Sequence, residues 1–324
     1  MAAQIQKVIL PGATIGILGG GQLGRMVAMA ARSLGYRIQV LDPDPSCPAR
    51  FIADACFEAS WTDARAAADL ARGCDVVTLE IEQISVPAIE AAERHVPVRP
   101  GSRMLAVIQD RILQKDWLVA HGLPMGEYRA VSDPAQFHSA VKELGGKCFV
   151  KSAHGGYDGR SQEKLGFSQP ADAEAIDAAW KSLGQRPVVV ERAIELAMEI
   201  SVMVARSPRG EMKAFPVAVN HHEQQILVWS AIPADIPAET AKQARELALS
   251  IAEQFHLEGL LAVEMFVASD GRLLINELAP RPHNSYHSSE RACATSQFEQ
   301  AVRAICNLPL GDVEVIQPAA IVNL

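Results

Sequence analysis

Residues 14–35 read TIGILGGGQLGRMVAMAARSLG: a short β-branched run, a glycine turn spaced Gly19-x-Gly21-x-x-Gly24, and a helix-period segment stopped at Gly35. A strand that feeds a helix through such a turn commits this part of the chain to a parallel sheet, because the helix must pack back across the strand before the next one starts. The following segments comply. RIQVL (37–41) is a second strand halted by Asp42-Pro43, residues 63–72 have helical spacing, and DVVTLEI (75–81) is a third strand. The helix starting at Gln22 is expected to offer free N–H groups to an anion, and Asp42 stands where a ribose-binding acid belongs. On this segment alone, a nicotinamide cofactor, a different phosphate ligand and a plain helix–strand packing turn are all open.

The pattern changes after VPVRPG (96–101). Helical signals run from Ser102 to His121, then come the strand KCFVK (147–151), a glycine loop and a helix near 171–183. PVVVERAI and MEISVMVARS read as strands, and the turn PRGE returns the chain into MKAFPVAV, so this part is antiparallel. A long helix over 238–256 leads to GLLAVEMFVASDGRLLINEL. The expected units are 1–108, 109–190 and 191–324. Met26 and Met29 are expected in the core of the first helix.

A formal charge of −8, with no lysine or arginine run, argues against a nucleic-acid surface. Six scattered cysteines without a CxxC pair read as reduced thiols, which places the chain in the cytoplasm. No stretch reaches the ~18–20 apolar residues of a membrane span, and the first residues lack the order of a signal peptide.

Two stretches carry chemistry. In VKSAHGGYDGRSQ (150–162) a strand lysine, Lys151, precedes mobile glycines, an arrangement suited to a polyphosphate. In AVEMFVASDGRLLINEL the pair Asp270-Gly271 is expected as a two-residue type I′ turn, with Ser269 facing Arg272. Pairing outward from it puts Glu264 opposite Glu277. Two carboxylates ~4.5–5.5 Å apart at Cβ repel, and a magnesium ion shared with nucleotide phosphates is the natural cation between them. The loop LAPRPHNSYHS (278–288) follows directly and holds Arg281, His283 and Asn284.

GGGQLGRM, IQDR, GGYDGR, NELAPRPHNS and TSQFEQAVRAICNLPLG, in this order, resemble the N5-carboxyaminoimidazole ribonucleotide synthetases of the ATP-grasp superfamily, from about residue 14 to the end. The resemblance implies a βαβ parallel-sheet domain, then an ATP-grasp fold with a small lid subdomain and a larger antiparallel subdomain. It implies carboxylation of 5-aminoimidazole ribonucleotide with bicarbonate, ATP going to ADP and phosphate through carboxyphosphate, in a magnesium-dependent cytoplasmic homodimer. On its motifs, Arg111 and Lys151 touch ATP phosphates, and Gly156, Tyr157, Asp158, Gly159, Arg160, Ser161 and Gln162 form a lid loop. Glu191, Arg192, Ala193 and Ile194 hold the adenine, Glu199 the ribose, and His222, in Asn220-x-His222, lies near the nucleotide. Glu264 and Glu277 are metal ligands beside Asn276. Gly21, Gln22, Leu23, Glu82 and Tyr157 meet the ribonucleotide, the glycine turn facing its phosphate end, and Arg281, His283 and Asn284 sit where bicarbonate meets the amine.

Tyr286 and Ser288 replace a glycine and an aromatic usual in that family, and family members continue for some tens of residues beyond AAIVNL. Two alternatives stand beside this reading: a formate-using glycinamide ribonucleotide transformylase, and a nucleotide-binding module without turnover.

Overall fold

A computed structural model describes residues 7–155, 162–224 and 226–323. The expected lid residues Gly156, Tyr157, Asp158, Gly159, Arg160 and Ser161 lie outside the described residues.

The first unit is a parallel sheet of β1 (Thr14–Leu18), β2 (Arg37–Asp42), β3 (Ala55–Glu58) and β4 (Val76–Leu79), in the order β3-β2-β1-β4. The strand β3, four residues long, is too short to have been expected. Helices α1 (Gln22–Ser33), α2 (Ala64–Arg72) and α3 (Val86–Glu93) cover the two faces. Met26 packs against the core under α1, but Met29 is 48% exposed, because it falls on the outer face of that helix.

The helical stretch 102–121 is two helices, α4 (Ser102–Ile108) and α5 (Arg111–Ala120). Asp110 divides them, its carboxylate accepting from the N–H groups of Ile112 and Leu113 as the N-cap of α5. A small antiparallel sheet follows, built from β5 (Tyr128–Val131), β6 (Cys148–Ser152), β7 (Gln162–Leu165) and β8 (Val188–Arg192) in the order β5-β8-β6-β7. Helices α6 (Pro134–Glu143) and α7 (Ala173–Ser182) close over it around Phe137 and Trp180, a core of its own.

The large sheet begins at β9 (Leu196–Arg206), with β10 (Met212–Ala214), β11 (Ala218–Glu223), β12 (Ile226–Ile232), β13 (Gly259–Ala268), β14 (Leu273–Ala279) and β15 (Ala319–Val322). Its order is β14-β13-β9-β11-β12-β15, with β10 paired to β9. The long helix α8 (Ala238–Gln254) packs on one face. The short α9 (Ser289–Ala292) and α10 (Gln297–Ile305) lie on the other. From α10, Phe298, Val302 and Ile305 enter the core of the first unit beside Ile15, Val27 and Val40. Arg99 adds a polar tie, donating to the carbonyl of Ile305 at 2.5 Å and to Glu258 at 2.7 Å.

The β13–β14 turn differs from expectation. Gly271 N–H bonds the carbonyl of Ala268 at 2.8 Å, Ala268 N–H bonds that of Arg272, and Gly271 has φ +85°. This is a three-residue loop closed by a left-handed glycine, so Ala268, not Ser269, faces Arg272. The ladder therefore starts one residue out of the expected register, with Met265 opposite Ile275. A β-bulge at Asn276 then restores it, and Glu264 lies opposite Glu277 after all.

Candidate active site

A cleft of about 900 Å³ opens between the small sheet, α5 and the large sheet. A second hollow of about 420 Å³ lies against the first unit, and Arg281 and Asn284 line both.

The bulge explains how two consecutive strand residues reach one cleft. Neighbours on a strand ordinarily face opposite sides, but Asn276 and Glu277 jointly oppose Glu264, and all three line the cleft. Asn276 donates to Glu264 Oε2 at 3.2 Å and accepts from Lys151 Nζ at 3.3 Å. His283 Nε2 lies 3.3 Å from Glu264 Oε1. Burial, and then the Glu277 charge, push the Glu264 carboxyl well above the ordinary carboxylate range. The pair is short of positive charge.

Glu199 and His222 line the same cleft, with His222 Nδ1 2.5 Å from Glu199 Oε2. Burial opposes a charge on His222, yet its bond to Glu199 and the nearby carboxylates raise its pKa overall. Asn220, two residues earlier, does not share this position: it is buried behind the cleft, donating to Ser201 Oγ.

Lys151 sits at the end of β6 and pairs with Glu191 Oε2 at 2.9 Å; Lys115 of α5 takes Oε1 at 2.8 Å. Burial alone would raise the Glu191 carboxyl, but the charges of Lys151 and Lys115 outweigh it and hold the pKa at about 2. Glu191 thus serves the two lysines. In the segment expected at the adenine, Glu191, Arg192 and Ile194 line the cleft, while the N–H groups of Arg192 and Ala193 bond the carbonyls of Glu127 and Lys147. Gln162 also lines it. Arg111 Nη1 donates to the carbonyls of Ser152 and Gly155, fixing the strand end that carries Lys151. Lys115 escaped the sequence reading; its signal is its place one helical turn after Arg111 on one face of α5.

The second hollow is lined by Gly21, Gln22, Leu23, Trp61, Glu80, Arg281 and Asn284, among others. Here the expectation of a free helix terminus fails. Glu80 accepts from Gly21 N–H and Gly24 N–H at 2.8 Å each, and Asp42 accepts from Gly20 N–H at 2.7 Å. The chain's own carboxylates fill the anion site, and Asp42 is spent on backbone. The glycines are required by this approach: a Cβ at Gly21 would stand 2.7 Å from Glu80 Oε1, and one at Gly24 2.7 Å from the Gly19 carbonyl. Glu80 was legible in principle, since β1 and β4 pair Leu18 with Leu79 and bring the next residue beside Gly19.

Arg281 Nε lies 2.8 Å from Glu82 Oε2, so Glu82 orients the guanidinium at the junction. Burial, and then the Arg281 charge, hold the His283 pKa down at about 3, and the ring is neutral at pH 7. Tyr286 is a core residue whose hydroxyl reaches the carbonyls of Ser201 and Pro216. Ser288 is buried as well.

Among the described residues no group of three or more His, Cys, Asp or Glu has metal-holding geometry. Two carboxylates and an amide short of positive charge still fit magnesium, which takes one or two carboxylates and completes its shell with phosphate oxygens and water.

Residues 12–109 match the ribonucleotide synthetase preATP-grasp domain, and residues 116–298 the ATP-grasp domain. The chain is similar to the N5-carboxyaminoimidazole ribonucleotide synthase of Bacillus subtilis strain 168, 40% identical over 98% of this chain and 83% of that protein. The synthase of Brucella melitensis is 39% identical over 97% of this chain and 86% of its own length. Among solved structures, an ADP complex of an N5-carboxyaminoimidazole ribonucleotide synthetase superposes with a TM-score of 0.93 at 43% identity, covering 98% of this chain and 83% of that one. The Aspergillus clavatus enzyme, in complex with ADP and 5-aminoimidazole ribonucleotide, superposes with a TM-score of 0.88 at 31% identity, over 96% and 81%.

Proposed function

The chain belongs to the N5-carboxyaminoimidazole ribonucleotide synthase family of ATP-grasp ligases, and from that premise we propose how its two hollows divide the work. It is an ATP-dependent, ADP-forming ligase that carboxylates 5-aminoimidazole ribonucleotide in purine biosynthesis. The names of its relatives favour this over the formate-using alternative. The observation that carries the division is that Arg281 and Asn284 line both hollows.

In this reading ATP lies in the larger cleft. Lys151 and Arg111 face its phosphates, and Glu191 holds Lys151 in place. Arg192, Ala193 and Ile194 border the adenine, with Glu199 and His222 near the ribose. Glu264 and Glu277, beside Asn276, would hold magnesium, which when bound would supply positive charge to the phosphate oxygens. Residues 156–162 form the lid.

Bicarbonate is the carboxyl donor. Its oxygen attacks the γ-phosphorus, the bond to the β-phosphate oxygen breaks, and ADP leaves. Arg281 holds the resulting carboxyphosphate. The ribonucleotide lies in the smaller hollow beside Gly21, Gln22, Leu23 and Glu82, with Tyr157 contributing from the lid. Its exocyclic amine attacks the carboxyl carbon, phosphate leaves, and the amine gives up a proton. His283 lines the larger cleft beside this point. Because Glu80 occupies the α1 terminus, the substrate's phosphate lies away from that terminus.

The reading extends to a cytoplasmic homodimer of three units, 1–108, 109–190 and 191–324, with no nucleic-acid or membrane partner. Light scattering tests the assembly, and fractionation the compartment. ADP release, measured with and without the ribonucleotide and with and without bicarbonate, tests the chemistry. Full release only with both is expected; release indifferent to bicarbonate would overturn the proposed donor.

A further inference from the structure

Behind His283, on the side away from the cleft, a buried run of polar side chains leads into the large sheet. His283 Nδ1 lies 2.8 Å from Ser285 Oγ, and the Ser285 backbone N–H points at the same nitrogen at 3.4 Å. Ser285 Oγ lies 2.9 Å from Ser201 Oγ, and Asn220 Nδ2 donates to Ser201 Oγ at 3.1 Å. Asn220 Oδ1 lies 3.0 Å from Ser230 Oγ. Ser201, Ser230 and Ser285 are wholly buried and Asn220 is 6% exposed. On the cleft side, His283 Nε2 faces Glu264 Oε1 at 3.3 Å.

The donor inventory gives this run a direction. An amide nitrogen and a backbone N–H only donate, and each serine hydroxyl has one hydrogen. Asn220 gives to Ser201, Ser201 to Ser285, and Ser285 to His283 Nδ1. The Ser285 backbone N–H aims at that nitrogen too, so it carries no hydrogen of its own. The ring hydrogen is then on Nε2, which faces Glu264 Oε1 at 3.3 Å. Reversing the run would set the Ser285 N–H against a ring N–H.

We propose that Asn220, Ser201 and Ser285 form a one-way hydrogen-bond chain that holds His283 as its Nε2–H tautomer and thereby orients the Glu264 carboxylate. Asn220 is a positioning residue, acting through three others, and not a nucleotide contact. The tautomer follows from this geometry alone. Its bearing on turnover rests on the reading above, in which Glu264 serves the nucleotide's cation. Outer partners of such a ligand matter at about the 10- to 100-fold level.

The test is nitrogen NMR of the full chain labelled with 15N-histidine, the His283 signals being identified by their loss in His283→Gln. Wild type is expected to show a bare Nδ1 and a protonated Nε2 at neutral pH. Asn220→Ala removes the terminal donor without adding an acceptor and only weakens that preference. Asn220→Asp replaces the donor with an acceptor that draws the serine hydrogens away from the ring, so the Nδ1–H form becomes populated. ADP formation in Asn220→Asp falls about 10- to 100-fold with the Michaelis constant for ATP unchanged. A merely structural asparagine would make the two variants alike, and that result overturns the proposal. So does a wild-type ring protonated on Nδ1 or on both nitrogens, a measurement that stands even where a variant fails to fold. A wild type that shows the expected tautomer yet forms no ADP with the ribonucleotide and bicarbonate supports the chain and sinks the functional reading instead.

Discussion

At the scale of single residues, the site is organised by charges that need one another. Glu264→Gln removes a charged ligand while the nucleotide phosphates keep theirs, so ADP formation should nearly vanish. The same change relieves a like-charge cross-strand contact worth roughly 0.2–1 kcal/mol. The melting temperature, read by calorimetry without nucleotide, should therefore be unchanged or higher; a clear drop would contradict the repulsion. Glu191→Gln should behave in the opposite way. It strands Lys115 and Lys151, 7% and 14% exposed, without their counter-charge, a loss on the order of 3–5 kcal/mol for a buried pair. The pH dependence follows from a carboxyl held at about 2 against an ordinary value of 4.5. The folded form binds the proton less readily than the unfolded one, so the stabilisation is complete above about pH 4.5 and is lost as pH falls towards 2. Denaturant titrations should show this slope in wild type and not in Glu191→Gln. Sequence spacing could suggest that these residues act on phosphate, but not that Glu191 is spent on two lysines, because Lys115 and Lys151 meet only when α5 and β6 come together.

At the scale of elements, the hairpin shows how a correct pairing can be reached by an incorrect route. Asp270-Gly271 suggested a two-residue turn, whereas the chain uses a three-residue loop and then recovers the register at Asn276. The two offsets cancel, so Glu264 faces Glu277 as expected. A bulge has no reliable sequence signal, since its cause is which side chains must reach the cleft. Deleting Asn276 should leave the ladder intact, because the residues on either side already pair in registers one apart. It would remove the amide between Lys151 and Glu264, so ADP formation should drop at least tenfold, on the order seen when outer partners of a ligand are lost, with circular dichroism unchanged. Loss of the strand signal would show that the bulge is needed for folding. The α1 terminus carries the complementary lesson. Its glycine spacing correctly announced a parallel sheet, but the spacing is equally required by an internal carboxylate. Glu80, tethered at an effective concentration on the order of millimolar or more, leaves a free phosphate little opportunity there.

At the scale of the whole molecule, the order of units along the chain was legible, while their interlocking was not. TSQFEQAVRAICNLPLG has an evident helical period, yet nothing in it says that its apolar face is divided between two cores. Phe298 is 1% exposed and packs with the first unit. Phe298→Ala should cost about 3–5 kcal/mol, and the loss should be felt by the parallel and the large sheet together. Hydrogen exchange would show this as faster exchange in both β1 and β9; an effect confined to α10 would argue that the units are independent. The same interlocking sets a schedule during synthesis. The parallel sheet leaves the ribosome early, but the part of one face and of α1 that α10 covers stays open until Phe298, Val302 and Ile305 emerge about two hundred residues later. At about 5–20 residues per second, that is a wait of roughly 10–40 s. Through that interval the nascent chain carries an uncovered apolar surface, so its exposure to chaperones and to aggregation is fixed by the place of one helix in the gene's reading order.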